Sequence, residues 1–240
     1  MLLYYITDRH GFAGTETQQR TALLQRISEA ARAGVDYIQL REKDLPSEEL
    51  GPLAAEAATI VRANSVSTRV LVNHDVNVAI ENGTDGVHLP AGDITAFEVR
   101  SLWMSKRCDA PVIGVSVHSI GEVRNAEIQG GADFVVLAPI FEKPGTDMRG
   151  IGLNALRIAC HGDRPPNTAE SARPRIPVLA LGGVSLVNAG SCLNAGAAGV
   201  AGIRLFQQGD VAETVIQLRE LSAKTKMPGL AKAKPGRWIS

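Results

Sequence analysis

Arg41 and Lys43 stand two residues apart at the end of a short apolar run, interleaved with Glu42 and Asp44. Alternation along an extended chain puts the two cations on one side. That placement suits an anionic group such as a pyrophosphate or a substrate phosphate. An internal ion pair with Glu42, Asp44 or another acid is the alternative. Gly182-Gly183 close another apolar run, and paired glycines let backbone N–H groups approach an anion closely. A tight turn alone would use the same pair. Arg204, at the end of the last such run, completes the charge around that anion or pairs with an acidic neighbour.

Five histidines are present. His10 and His161 fall in loops and carry no signal. His88 lies inside a strand-like run and reads as a hydrogen-bonded interior residue. His74 and His118 sit at run ends, where an imidazole can move protons near neutral pH. His118 ranks above His74 because Ser116 is two residues away on the same face. Ser116 and His118 are therefore the catalytic candidates. Gln39 and Asn73, at the ends of two other runs, are candidate binding residues.

These residues need elements to position them. Apolar runs at 2–7, 35–41, 70–73, 86–89, 112–116, 133–138, 177–181 and 199–204 read as buried parallel strands. Helix-like stretches lie between them, as at 21–33, 47–64 and 120–129. Strand and helix alternating eight times predicts a single (β/α)8 barrel, with a doubly wound open sheet as the other arrangement. An internal echo supports the barrel. Ala33-Gly34-Val35-Asp36 is repeated as Asn82-Gly83-Thr84-Asp85, as Gly130-Gly131-Ala132-Asp133 and, more weakly, as Ala195-Gly196-Ala197-Ala198. Each copy precedes an even-numbered strand, where a glycine just past a helix end can turn left-handed. In such a barrel the chemistry lies at the carboxyl ends of the strands, which is where the candidates fall.

The 240 residues suit one barrel. The expected domain spans 1–222, with a loop insertion at 161–175 rich in proline and polar residues, then a basic tail over 223–240. The tail reads as a mobile segment or a subunit-contact arm, and a homodimer is left open. Lys and Arg together number 25, as do Asp and Glu, so no global field favours nucleic acid or an anionic membrane. No run is long and apolar enough to span a bilayer. Cys108, Cys160 and Cys192 form no metal-type spacing and read as reduced thiols of a cytoplasmic protein.

Several of these segments resemble the thiamin phosphate synthase family. Gln39-Leu40-Arg41-Glu42-Lys43-Asp44 is similar to its strand-two motif, and Gly86-Val87-His88-Leu89 followed by Asp93 to its strand-four segment. Gly114-Val115-Ser116-Val117-His118-Ser119 resembles strand five, and Ala180-Leu181-Gly182-Gly183-Val184 resembles strand seven. The similarity spans roughly residues 1–222.

The resemblance implies a barrel that binds a phosphorylated thiazole near Gly182 and Gly183, in one of two branches. A synthase joins hydroxymethylpyrimidine pyrophosphate to thiazole phosphate with magnesium. A TenI-type tautomerase aromatises the thiazole phosphate without metal. Synthases carry Asn-Asp-Arg after strand three, where this chain has Asn73-His74-Asp75. They carry Thr-x-Thr-Lys after strand six, where this chain has Phe141-Glu142-Lys143-Pro144-Gly145-Thr146. Val117-His118-Ser119 and Phe141-Glu142 resemble the TenI branch, whereas Arg41 and Lys43 keep the synthase pattern. Arg204 stands where a serine is usual. On this reading the tautomerase comes first, with His118 shuttling the proton and no cofactor. The alternatives are a synthase with Mg2+ near Asp93 and Asn73, and a non-catalytic phosphate-binding or regulatory barrel.

Overall fold

The computed structural model describes residues 1–92, 94–142, 149–162 and 175–225. Eight strands are present: β1 (Leu2–Ile6), β2 (Tyr37–Leu40), β3 (Arg69–Asn73), β4 (Gly86–Leu89), β5 (Val112–Val117), β6 (Phe134–Leu137), β7 (Val178–Ala180) and β8 (Gly199–Gly202). They close into a barrel in chain order, with β8 returning to β1 and every neighbouring pair parallel. The open-sheet alternative is thereby excluded. The helices are α1 (Glu16–Ala33), α2 (Ser47–Asn64), α3 (Val76–Glu81), α4 (Ala96–Lys106), α5 (Ile120–Gln129), α6 (Gly152–His161), α7 (Ala189–Asn194), α8 (Arg204–Gln207) and α9 (Val211–Thr225).

Alternation along each strand sorts side chains between two layers. Tyr4 and Ile6 point into the barrel and fill it with Leu71, Phe134, Val136, Leu179 and Ala201. Leu3 and Tyr5 point outward into the layer shared with the helices. Both faces are covered, which is why these strands read as nearly continuous apolar runs.

The repeated Gly and Asp have separate jobs. Gly34, Gly83, Gly131 and Gly196 all adopt positive φ. Each reverses the chain after a helix. Asp36 then accepts the Leu3 N–H at 2.7 Å, Asp85 that of Val70 at 2.8 Å, and Asp133 that of Ile113 at 2.7 Å. Each carboxylate thus anchors the start of the preceding strand. The weaker fourth copy carries Ala198, which keeps the backbone bond that all four copies make to the preceding strand, here to the Val178 carbonyl, and lacks only the carboxylate.

The strand expected over 199–204 stops at Gly202. Ile203 has φ −90° and ψ −74°, and its carbonyl accepts from the Phe206 and Gln207 N–H groups. The chain has already turned into a helix, so Arg204 opens α8 instead of ending a strand. Asp93, residues 143–146 of the strand-six loop, most of the 161–175 insertion and the tail beyond 225 lie outside the described residues. All three cysteines are free. No helix among the described residues is long and apolar enough to cross a membrane.

Candidate active site

The carboxyl ends of the strands form a charged mouth organised by Arg9. This residue follows β1 in a single 3-10 turn, Arg9–Gly11, and its side chain is only 3% exposed. Its guanidinium lies 3.3 Å from Glu42 Oε2, 2.7 Å from Asp44 Oδ1 and 2.8 Å from Glu16 Oε1. The Thr7 hydroxyl donates to Glu42 Oε1 at 2.5 Å and accepts the Arg41 N–H at 2.9 Å. The hydrogen-bonded Arg9 guanidinium holds the Asp44 carboxyl well below the usual carboxylate range. Glu42 and Asp44, the acids interleaved with Arg41 and Lys43, are therefore committed. Among the described residues neither cation has an ion pair of its own. Sequence inspection missed Arg9. The available signal was a charged residue directly after strand one, but nothing local pairs it with acids some thirty residues away.

Two cavities meet at this mouth. An inner chamber of about 190 Å3 is lined by Gln39, Arg41, Asn73, His88, Ser116 and His118 above Ile6, Val136 and Leu181. An outer chamber of about 650 Å3 is lined by Arg41, Lys43, Asn73, His74, Asp75, Ser116 and His118. Arg41, Asn73, Ser116 and His118 line both, so the two chambers adjoin along this polar wall.

Hydrogen bonds set the polar character of that wall. Gln39 Nε2 donates to Asn73 Oδ1 at 3.1 Å, leaving the Asn73 amide N–H groups for a ligand. His88 is 3% exposed and is held between Tyr4 Oη, 3.0 Å from Nδ1, and Ser116 Oγ, 2.8 Å from Nε2. Burial, aided by the nearby Arg41 charge, lowers its pKa from 6.5 to about 3, so the ring is neutral. The interior assignment of His88 is correct, yet it also borders the chamber. Ser116 and His118, the two catalytic candidates, line both chambers but have different partners. Ser116 bonds to His88, because the β4–β5 register sets His88 against Gly114 and leaves Ser116 within its reach. His118 is 60% exposed at the chamber mouth, with Nδ1 3.4 Å from Glu122 Oε2 four residues on.

Gly182 and Gly183 have φ +91° and +66°. A Cβ on Gly182 would lie 2.6 Å from Pro139 Cα, so close packing against the β6 loop also requires glycine there. Their carbonyls accept from Phe141 N–H and Asn188 Nδ2, while their N–H groups have no acceptor among the described residues. Leu181 and Ile203, immediately before Gly182 and Arg204, line the inner chamber. Arg204 is exposed and has no ion pair among the described residues.

Residues 3–206 match the family model described as thiamine monophosphate synthase. The chain belongs to that family. It is 37% identical over 201 residues to a putative thiamine-phosphate synthase of Geobacter sulfurreducens, covering 83% of each chain. It is 35% identical over 233 residues to a thiamine-phosphate synthase of Methanoculleus marisnigri, covering 95% of this chain and 98% of that one. Among solved structures it is similar to the thiamine phosphate pyrophosphorylase of Pyrococcus furiosus, with a TM-score of 0.72 and 29% identity. That match covers 93% of this chain and 96% of the other.

Within the thiamine monophosphate synthase family, the synthase branch brings a magnesium ion, which prefers oxygen ligands. Among the described residues no complete ligand set is present, and Asp93, the carboxylate the family resemblance points to, lies outside them. His74 places a nitrogen-bearing ring at the position of that branch's carboxylate. Asp75 caps α3, accepting the Val78 N–H at 2.9 Å, and takes the Ser47 hydroxyl at 2.7 Å. Glu42 and Asp44 are engaged by Arg9. No group of three potential ligands among His, Cys, Asp and Glu exists among the described residues.

Proposed function

We propose that this chain is a thiamine-phosphate synthase, joining a pyrimidine carried as its pyrophosphate to a thiazole phosphate with release of pyrophosphate. The observation that carries this reading is the pair of chambers sharing one polar wall. A condensation needs two substrates side by side, whereas an isomerisation needs one. The names of the family relatives support the same reaction. They do not support the tautomerase placed first from the sequence.

In this reading Arg41 and Lys43 hold the pyrophosphate. Its charge rises as the carbon–oxygen bond breaks, and cations without an acid partner stabilise it most at that moment. The wall residues Asn73 and Ser116 orient the two rings toward each other, with Gln39 holding the Asn73 amide in place. The Gly182 and Gly183 N–H groups take the thiazole phosphate, with Arg204, the first residue of the helix after β8, as its candidate cation. The deciding assay supplies both substrates with magnesium, and in parallel with chelator, and follows thiamine phosphate by chromatography. Product in either arm supports the synthase. No product in both arms refutes it.

His118 on the chamber wall favours a second reading, the thiazole tautomerase. An exposed imidazole beside Glu122 can accept a proton from one ring position and return it to another. Accelerated aromatisation of the thiazole phosphate, lost in His118→Gln, is its test. Binding of thiazole phosphate without either turnover would mark a non-catalytic barrel.

A further inference from the structure

Tyr4, His88 and Ser116 form a continuous hydrogen-bonded file from the barrel interior to the chamber wall. Tyr4 is wholly buried, and its hydroxyl lies 3.0 Å from His88 Nδ1. His88 Nε2 lies 2.8 Å from Ser116 Oγ. A neutral imidazole has one N–H, so one ring nitrogen donates and the other accepts. Which nitrogen carries the proton decides what Ser116 can do.

The phenol resolves this choice. Its single proton has His88 Nδ1 as its acceptor among the described residues. Were Nδ1 protonated, it would donate to Tyr4 Oη and strand the phenol proton in an apolar interior beside Phe134. The phenol therefore donates to Nδ1, the ring carries its proton on Nε2, and Nε2–H donates to Ser116 Oγ. The Ser116 proton is then free to point at a ligand. Gly114 makes the arrangement possible, because a Cβ there would lie 2.7 Å from His88 Nδ1.

We infer that Tyr4 and His88 are positioning residues that make Ser116 a directed hydrogen-bond donor into the chamber, and neither a nucleophile nor a base. A Ser–His pair that activates the hydroxyl needs an unprotonated nitrogen facing the oxygen. Here that nitrogen carries the proton. Burial keeps the ring neutral, which is consistent with this single-proton bookkeeping. Any electronegative substrate atom on the wall, a ring nitrogen or a phosphate oxygen, suits such a donor. The role of Ser116 in turnover rests on the synthase reading, whereas the tautomer does not.

Two measurements separate these. Long-range 1H–15N correlation of the wild-type protein, with His88 assigned through bonds, reads the tautomer without any activity. A protonated Nε2 with an unprotonated Nδ1 is expected, and the opposite tautomer overturns the inference. The second is a double-mutant cycle on thiamine phosphate formation. Ser116→Ala is expected to lower kcat roughly 10-fold with a smaller change in KM, as loss of one hydrogen bond would. Tyr4→Phe should cost a few-fold in the wild-type background and nothing in the Ser116→Ala background. Additive losses would show that Tyr4 acts on stability alone and overturn the relay. If the wild type makes no thiamine phosphate, the functional reading fails and the tautomer measurement still decides the inference.

Discussion

The Arg9 guanidinium and the Glu42 carboxylate face each other inside the barrel mouth at 3.3 Å, with side chains only 3% and 1% exposed. Removing one partner of such a pair leaves a buried charge uncompensated, which typically costs about 3–5 kcal/mol. Arg9→Ala is expected to lower urea-unfolding stability by that order. Glu42→Gln in the same background should recover part of the loss, since no unpaired charge then remains. A loss below about 1 kcal/mol would show that Glu42 does not depend on Arg9.

Because Arg9 occupies the nearby acids, Arg41 and Lys43 face the outer chamber without ion pairs among the described residues. Arg41→Ala should weaken pyrophosphate binding by roughly 10- to 100-fold, the range for losing charge-assisted hydrogen bonds. Lys43 is exposed, so Lys43→Ala should cost less, and its effect should shrink as salt rises. Calorimetric titration with pyrophosphate at two ionic strengths checks both. Unchanged affinity in Arg41→Ala would remove the pyrophosphate assignment.

His88 makes stability depend on pH in a definite direction. Its pKa is about 3 in the folded protein and 6.5 as the ordinary value. Between these limits the unfolded chain binds the extra proton, so stability is full above pH 6.5 and falls as pH drops toward 3. The contribution reaches of order 5 kcal/mol at the acid end. His88→Gln should be less stable at pH 7 and show a flatter profile between pH 7 and 4. Parallel profiles for the two proteins would locate the acid sensitivity elsewhere.

Gly182→Ala combines a left-handed backbone with a Cβ 2.6 Å from Pro139 Cα. Backbone strain of this kind costs about 1–3 kcal/mol before the clash is counted. Both a lower melting temperature and weaker thiazole phosphate binding are expected, since the loop carrying the free N–H groups must shift. A lowered melting temperature with intact phosphate binding would make the glycine pair structural only.

Strand period, helix lengths and the repeated Gly and Asp were enough to specify the barrel, because each is a local pattern that one short segment carries by itself. The same patterns put Gln39, Arg41, Asn73, Ser116 and His118 at strand ends, and these line the two chambers together. The pairings were not legible. Arg9 reaches Glu42 and Asp44 across 33 and 35 positions, and Tyr4 reaches His88 across 84. Ser116 and His118 were legible as candidates on one strand face, but the hydrogen bond of Ser116 to His88 was not, because it depends on β4 and β5 being neighbours in register. Alternation says on which side of a strand a residue points. Only the closure of the barrel, which sets the stagger between strands, decides what it meets there.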